Sequence, residues 1–243
     1  HWLHRRQRQM CIRDRYIREH KKALSIVDCV TSLGACNVPV DEWQLDIVAS
    51  GSQKGYMIPP GLSFISMSQK AWEATEKSNL PKFYLNLKSY KKSLLSNSNP
   101  YTPAVNLVFA LDESLKMMRE EGLENIFLRH EKHKLAMSSA AKALNLKLLA
   151  DEKYLSPSIT AIETGEIDAE EFRKTIKNKF DILLAGGQDH LKGKIFRVGH
   201  LGYVNDRDII TVISAISNTL LDLGKINAQQ AGEALVIASK YLE

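Results

Sequence analysis

The sequence predicts an α/β protein, and two observations carry that reading. Short apolar, strand-like runs alternate along the chain with longer stretches whose apolar residues recur at helical spacing. Near Glu120 the strand-dense pattern gives way to paired helices, which marks a domain boundary and predicts domains at residues 17–120 and 121–243.

The pattern becomes coherent from about Ile17. Residues 24–28 (L-S-I-V-D) form a short apolar run ending in a polar residue, as a buried parallel strand does. Residues 46–50 (D-I-V-A-S) and 62–67 (L-S-F-I-S-M) predict a second and a third strand. Ser68 can cap a helix that runs through Trp72 to Lys77. Residues 84–95 read as a helix and residues 97–103 as a turn-rich break. Pro103 then opens a long helix with Val105, Val108, Leu111, Leu115 and Met118 at helical spacing, and Gly122 ends it. A second long helix follows over residues 123–144. Beyond it the pattern predicts a strand at 159–162, a helix at 168–179, strands at 182–185 and 194–199, and helices at 206–223 and 227–242.

A chain of 243 residues is long enough to bury a core, and 44% apolar with 25% charged residues is ordinary for a globular protein. No run approaches the roughly 18 apolar residues of a bilayer span, so no membrane role is expected. The three cysteines, Cys11, Cys29 and Cys36, have no metal-ligand spacing and an odd total, which predicts a reducing, cytoplasmic setting and no metal site. The net charge of +5 hints at nucleic acid, but five arginines against one aspartate put +4 of it in residues 1–16. The remainder is nearly neutral and lacks aromatics interleaved on a basic face, so no nucleic-acid partner is expected. That basic arm, without an initiator Met or apolar periodicity, reads as non-native sequence, and the chain as a fragment.

The residues most suggestive of chemistry lie at 50–61, S-G-S-Q-K-G-Y-M-I-P-P-G. Lys54 sits just past the second predicted strand, among small residues that let a ligand approach the backbone. In open α/β sheets ligands bind at the carboxyl ends of strands. A lysine can become a nucleophile where burial promotes loss of its proton. Asp28 ends the preceding strand, so both residues can reach one edge of one sheet. Two readings of Asp28 are open: it caps the following turn through backbone amides, or it serves as a carboxylate partner in a site. His130 and His133 have metal-compatible spacing, yet Arg129, Glu131, Lys132 and Lys134 surround them and predict a solvated face. Residues 186–190 (G-G-Q-D-H) read as a turn between strands, with Lys192 and Lys194 as surface charges.

Residues 27–34 (V-D-C-V-T-S-L-G) followed by residues 41–62 (D-E-W-Q-L-D-I-V-A-S-G-S-Q-K-G-Y-M-I-P-P-G-L) resemble class V aminotransferases of the alanine–glyoxylate and serine–pyruvate type. The resemblance runs from about Ile17 to the C-terminus. It implies a mixed, mostly parallel sheet from the large domain of a fold-type I pyridoxal-phosphate transferase, with a C-terminal α+β small domain. It also implies pyridoxal 5'-phosphate as cofactor: Lys54 binds it as a Schiff base, Asp28 pairs with the pyridine nitrogen, and Gln53 contacts the phosphate region. Residues 99–105 (N-P-Y-T-P-A-V) resemble the family loop that crosses a homodimer to the partner's phosphate, which implies Thr102 and Tyr101 as cofactor contacts. Residues 193–202 (G-K-I-F-R-V-G-H-L-G) resemble the strand whose arginine binds the substrate α-carboxylate, implying that role for Arg197. Read without the resemblance, Arg197 is a sheet-edge arginine in a surface ion pair.

The implied reaction is transamination from a small amino acid, alanine or serine in type, to a 2-oxo acid such as glyoxylate or pyruvate. Segments that anchor the phosphate and stack on the cofactor ring precede the resembling region, so residues 1–243 alone are expected to bind cofactor poorly. Two alternatives accompany this reading. A cysteine desulfurase shares the fold, but that family places a His before the cofactor lysine, where this chain has Gln53, and needs a cysteine on a mobile loop. A non-catalytic interaction subunit could keep the same fold.

Overall fold

The three apolar runs early in the chain become one small sheet. In the computed structural model, which describes residues 23–243, β1 (Ile26–Asp28), β2 (Ile47–Gly51) and β3 (Ser63–Met67) lie in the order β1-β2-β3. The basic stretch 1–16 and the start of the coherent pattern at Ile17 lie outside the described residues. The chain between β1 and β2 brings it back to pair in parallel, Ile26 opposite Ile47 and Asp28 opposite Ala49. β3 returns antiparallel, with Ile47 opposite Met67 and Gly51 opposite Ser63. The expectation of a buried first strand needs correction. β1 is three residues long, Ile26 is 71% exposed, and β1 is an edge strand among the described residues.

Local chemistry explains where the first helices begin. The Ser68 side chain accepts from the Ala71 amide and starts α1 (Gln69–Lys77). α2 (Leu87–Leu95) begins three residues later than its apolar pattern, because Asn86 caps it by accepting from the Lys88 amide. Phe83 and Tyr84 instead join an aromatic cluster with Tyr90 and Tyr101. α3 (Val105–Glu121) follows Pro103, and Gly122, at φ 83°, closes it.

The chain divides into two compact units: residues up to Leu33 with Val38–Met117, and Gly34–Asn37 with Met118–Glu243. The second contains α4 (Leu123–Ala143), β4 (Lys147–Leu148), β5 (Ile159–Glu163), α5 (Ala169–Phe180), β6 (Ala185–Gly186), β7 (Ile195–Gly199), α6 (Asp206–Asp222) and α7 (Ala228–Leu242). Its four strands form an antiparallel sheet in the order β4-β5-β7-β6. Ile162, Phe196 and Val198 point from that sheet into a core shared with Met137, Phe172, Ile176, Ile213, Ile216 and Leu220. Phe172 stacks on Phe196 with centroids 5.2 Å apart. Ala136, Ala140, Ala234 and Ala238 are fully buried or nearly so, and their small side chains let α4 and α7 approach closely. Asn205 and Asn227 start α6 and α7 with reciprocal capping boxes.

Two sequence expectations fail in this unit. The strand predicted at 182–185 shrinks to Ala185–Gly186. Asp181 takes a left-handed conformation at φ 55°, Leu184 turns into the core, and the Leu184 carbonyl accepts from Arg173 Nε rather than from a neighbouring strand. The solvated face expected for His130 and His133 is also wrong, since both are completely buried. Helical periodicity sets them in line with Ile126 and Met137, while Lys132 stays exposed and the other charged neighbours find partners of their own. Arg129 pairs through Nε and Nη2 with Glu121, at 2.6 and 2.9 Å, and Lys134 pairs with Glu131. His130 hydrogen-bonds the Ile126 carbonyl and accepts from the Gly202 amide, while His133 meets Asp206 at 2.8 Å. His200 bonds the Thr160 hydroxyl at 2.8 Å.

Burial is the leading cause that lowers all three imidazoles below their ordinary pKa, and His200, next to His133 and His130, is pushed down to about 3. The unfolded chain therefore takes up protons below about pH 6.5 while the folded His200 stays neutral until about 3. Stability should fall with decreasing pH across that window, by about 1.4 kcal/mol per pH unit for this one group. Thermal midpoints measured from pH 7 to 4 should fall less steeply in His200→Asn than in the parent protein. Equal slopes would mean that His200 does not contribute.

Candidate active site

Because β1 and β2 run parallel and side by side, both deliver their carboxyl ends to the same edge of the sheet. Asp28 is the last residue of β1; β2 ends at Gly51, and Lys54 lies three residues on, in the turn that follows. The structure thus brings Asp28, Gln53 and Lys54 to one edge. Lys54 is half-buried and Gln53 is exposed. The turn is tightened by the Met57 amide, which donates to the Lys54 carbonyl at 3.0 Å. Its far side is tied down as well. The Tyr56 ring packs on Phe64 with centroids 4.6 Å apart, and the Ser114 hydroxyl of α3 donates to the Tyr56 carbonyl. At Gly61, φ is +142°, a conformation that side-chain-bearing residues rarely adopt, and a Cβ would come within 2.5 Å of the Leu107 side chain, so glycine eases the passage of the loop past α3.

Asp28 is exposed, and its Oδ1 accepts from the Val30 amide at 2.8 Å. The carboxylate therefore does cap the turn after β1. Among the described residues its second oxygen has no hydrogen bond, so capping does not use up the group. Beside it, the Cys29 thiol is pushed above its ordinary pKa, first by burial and then by the Asp28 carboxylate. A buried, protonated thiol is a poor nucleophile.

Sequence reasoning missed Asp46. This residue is only 6% exposed and lies at the opposite edge of the sheet, just before β2. Its carboxylate accepts from the Ser25 amide at 2.9 Å, from the Ser68 hydroxyl at 2.8 Å and from Lys70 at 3.3 Å. These bonds hold its pKa below the ordinary value although burial alone would raise it. They tie the entrance of β1 and the start of α1 to β2. The signal was an aspartate opening an apolar run, which reads as a strand boundary unless its partners are known. A cleft of about 680 Å³ lies at this edge, lined by Asp46, Ser66, Ser68 and Lys70 among others; Lys54 does not line it.

The remaining candidates stand apart in their local settings. Thr102 is exposed, just ahead of α3. Tyr101 donates its hydroxyl to the Phe83 carbonyl at 2.9 Å and packs in the aromatic cluster. Arg197 lies in the second unit on β7, an inner strand between β5 and β6 rather than an edge. Its Nε donates to the Gly186 carbonyl at 2.8 Å, and no carboxylate among the described residues pairs with it. The surface ion pair that Arg197 would have on its own is therefore not seen, and its terminal nitrogens keep their donors. No helix among the described residues is long and apolar enough to cross a membrane.

A sheet presenting a lysine and an aspartate after adjacent parallel strands, in a chain that also contains an α+β unit, matches the fold of fold-type I pyridoxal-phosphate transferases. The family model for class V aminotransferases matches residues 14–192, and the chain belongs to that family. A Synechococcus sp. (strain PCC 6716) protein described as the small subunit of a soluble hydrogenase is 54% identical over 94% of this chain and 59% of its own length. The serine–glyoxylate aminotransferase of Methylorubrum extorquens is 36% identical over 90% of this chain and 56% of its own length. Among solved structures, the ureidoglycine–glyoxylate aminotransferase of Bacillus subtilis superposes with a TM-score of 0.84 at 31% identity, covering 91% of this chain and 59% of that one. The chain thus spans somewhat more than half the length of the relatives it matches.

Proposed function

We propose that the protein carrying this chain is a cytoplasmic aminotransferase that moves an amino group from a small amino acid, alanine or serine in type, to glyoxylate, pyruvate or a similar 2-oxo acid. One observation supports this above the others: an amine and a carboxylate follow adjacent parallel strands to one edge of a sheet. That donor set fits pyridoxal 5'-phosphate, with Lys54 for its aldehyde, Asp28 Oδ2 for its ring nitrogen and the Gln53 amide for its phosphate region. In this reading residues 17–120 belong to the large domain and residues 121–243 form the small one. The protein is a homodimer in which the exposed Thr102 reaches the partner's phosphate; Tyr101 would join it by releasing the Phe83 carbonyl.

When bound, the cofactor supplies an electron sink for negative charge at the substrate Cα. Asp28 keeps the ring nitrogen protonated, which maintains that sink. The Lys54 amine would take and deliver the proton at the substrate Cα. Arg197 orients the substrate by pairing its planar fork with the α-carboxylate. Arg197→Leu should therefore weaken kcat/KM for the amino donor by about 2–5 kcal/mol, because a desolvated carboxylate loses its charged partner. Steady-state kinetics with unchanged kcat/KM would return Arg197 to a structural role.

The name of the Synechococcus relative favours a second reading, in which the fold serves as a subunit of a larger redox assembly. A desulfurase reading has less support, since Gln53 precedes Lys54 and Cys29 is buried. Adding alanine or serine to the cofactor-loaded protein separates the first two readings. Conversion of the cofactor's visible absorbance to that of its amine form supports transamination. A bound cofactor that no amino donor changes would favour the subunit reading.

A further inference from the structure

The loop that carries Lys54 is closed at its base by one residue. Ser52 is completely buried, two positions before the lysine. Its hydroxyl donates to the Pro59 carbonyl at 2.8 Å and accepts from the Leu62 amide at 3.2 Å. Its own amide donates to the Leu62 carbonyl at 3.1 Å, and its carbonyl accepts from the Ile58 amide at 3.3 Å. All four bonds cross from the outgoing to the returning side of the loop.

The returning side contains Pro59 and Pro60, which have no amide hydrogen, so a backbone ladder cannot continue there. The Ser52 hydroxyl replaces it, acting as donor to one side of the proline pair and acceptor on the other. We propose that Ser52 is a positioning residue for Lys54: its hydroxyl holds the loop shut, so that the Lys54 amine stays at the carboxyl edge of the sheet beside Asp28. The proposal rests on the reading of Lys54 as the cofactor's lysine.

Ser52→Ala removes both side-chain bonds and leaves the Pro59 carbonyl and the Leu62 amide without their partner. In the cofactor-loaded protein, Leu62 amide exchange should accelerate about tenfold or more. The pH midpoint of the cofactor's visible absorbance should move, and kcat should fall while KM for the amino donor changes little. Ser52→Thr, which keeps the hydroxyl, should restore the parent midpoint. Ser68→Ala provides the control for general destabilisation: it loses the α1 cap and the bond to Asp46 at the opposite edge of the sheet. It should lower the thermal midpoint without moving the absorbance midpoint. The proposal is overturned if Ser52→Ala keeps the parent midpoint and kcat, or if Ser68→Ala shifts the midpoint as much. Retention of the visible band by Lys54→Ala would sink the Lys54 reading instead, and fast Leu62 exchange in Ser52→Ala would still demonstrate the closure.

Discussion

Replacing Lys54 with alanine is expected to abolish the visible absorbance of the bound cofactor and to lower turnover by at least about 10³-fold. Both effects follow from the two tasks proposed for one amine, attachment and proton transfer. Among the described residues, the lysine nearest in the sheet is not placed to take over. Lys70 lies at the other edge of the sheet, held by the Asp46 carboxylate and the Ala23 carbonyl. The fold should survive, because the bonds that close the loop come from Ser52 and from the backbone of Lys54, neither of which the substitution removes. Absorbance spectra and single-turnover kinetics on the purified variant decide the matter. A variant that keeps the visible band would show that the cofactor is attached elsewhere.

Asp28→Asn is the second large expected effect, and the turn after β1 makes it unusually clean. An asparagine Oδ1 can still accept from the Val30 amide, so the local conformation should persist. What disappears is the charge on the side chain, which the ring nitrogen needs to remain protonated. Cofactor binding should persist in part, while turnover should drop by roughly 10²–10⁴, the usual range for losing a protonation partner. Asp28→Ala should do worse on both counts, because it also releases the turn. Equal turnover in Asp28→Asn and the parent would remove Asp28 from the chemistry and leave it the capping role alone.

Much of this was legible because it depends on short-range chemistry. Ser68 as a cap, Gly122 as a break and the apolar runs of β2 and β7 are local statements about where amides and side chains go, and the structure agrees with them. Asp28 and Lys54 could be placed at strand ends for the same reason. The antiparallel return of β3 was not legible, since pairing direction depends on how the loop folds back. The exposure of β1 and the burial of His130 and His133 depend on what other segments cover, and flanking charges gave the wrong answer for the histidines. Arg129 and Lys134 satisfy themselves with Glu121 and Glu131, which allows the imidazoles between them to turn inward. Ser52 and Asp46 looked like ordinary small or polar residues until their partners, 7–10 and 21–24 positions away, came into view.

The clamp at Asp46 has a consequence for how such a protein can change. Alignment of β1 with β2 is secured at one end of the strands, and Asp28 and Lys54, the groups proposed for the chemistry, follow the other. The two jobs are thereby uncoupled. Segments leaving the carboxyl edge can accumulate substitutions that reshape what is bound there, while the strands remain in step. A laboratory selection for new amino donors would be expected to find its accepted changes in those departing loops and to reject nearly every exchange at Asp46. Innovation at one pole of the sheet would rest on intolerance at the other.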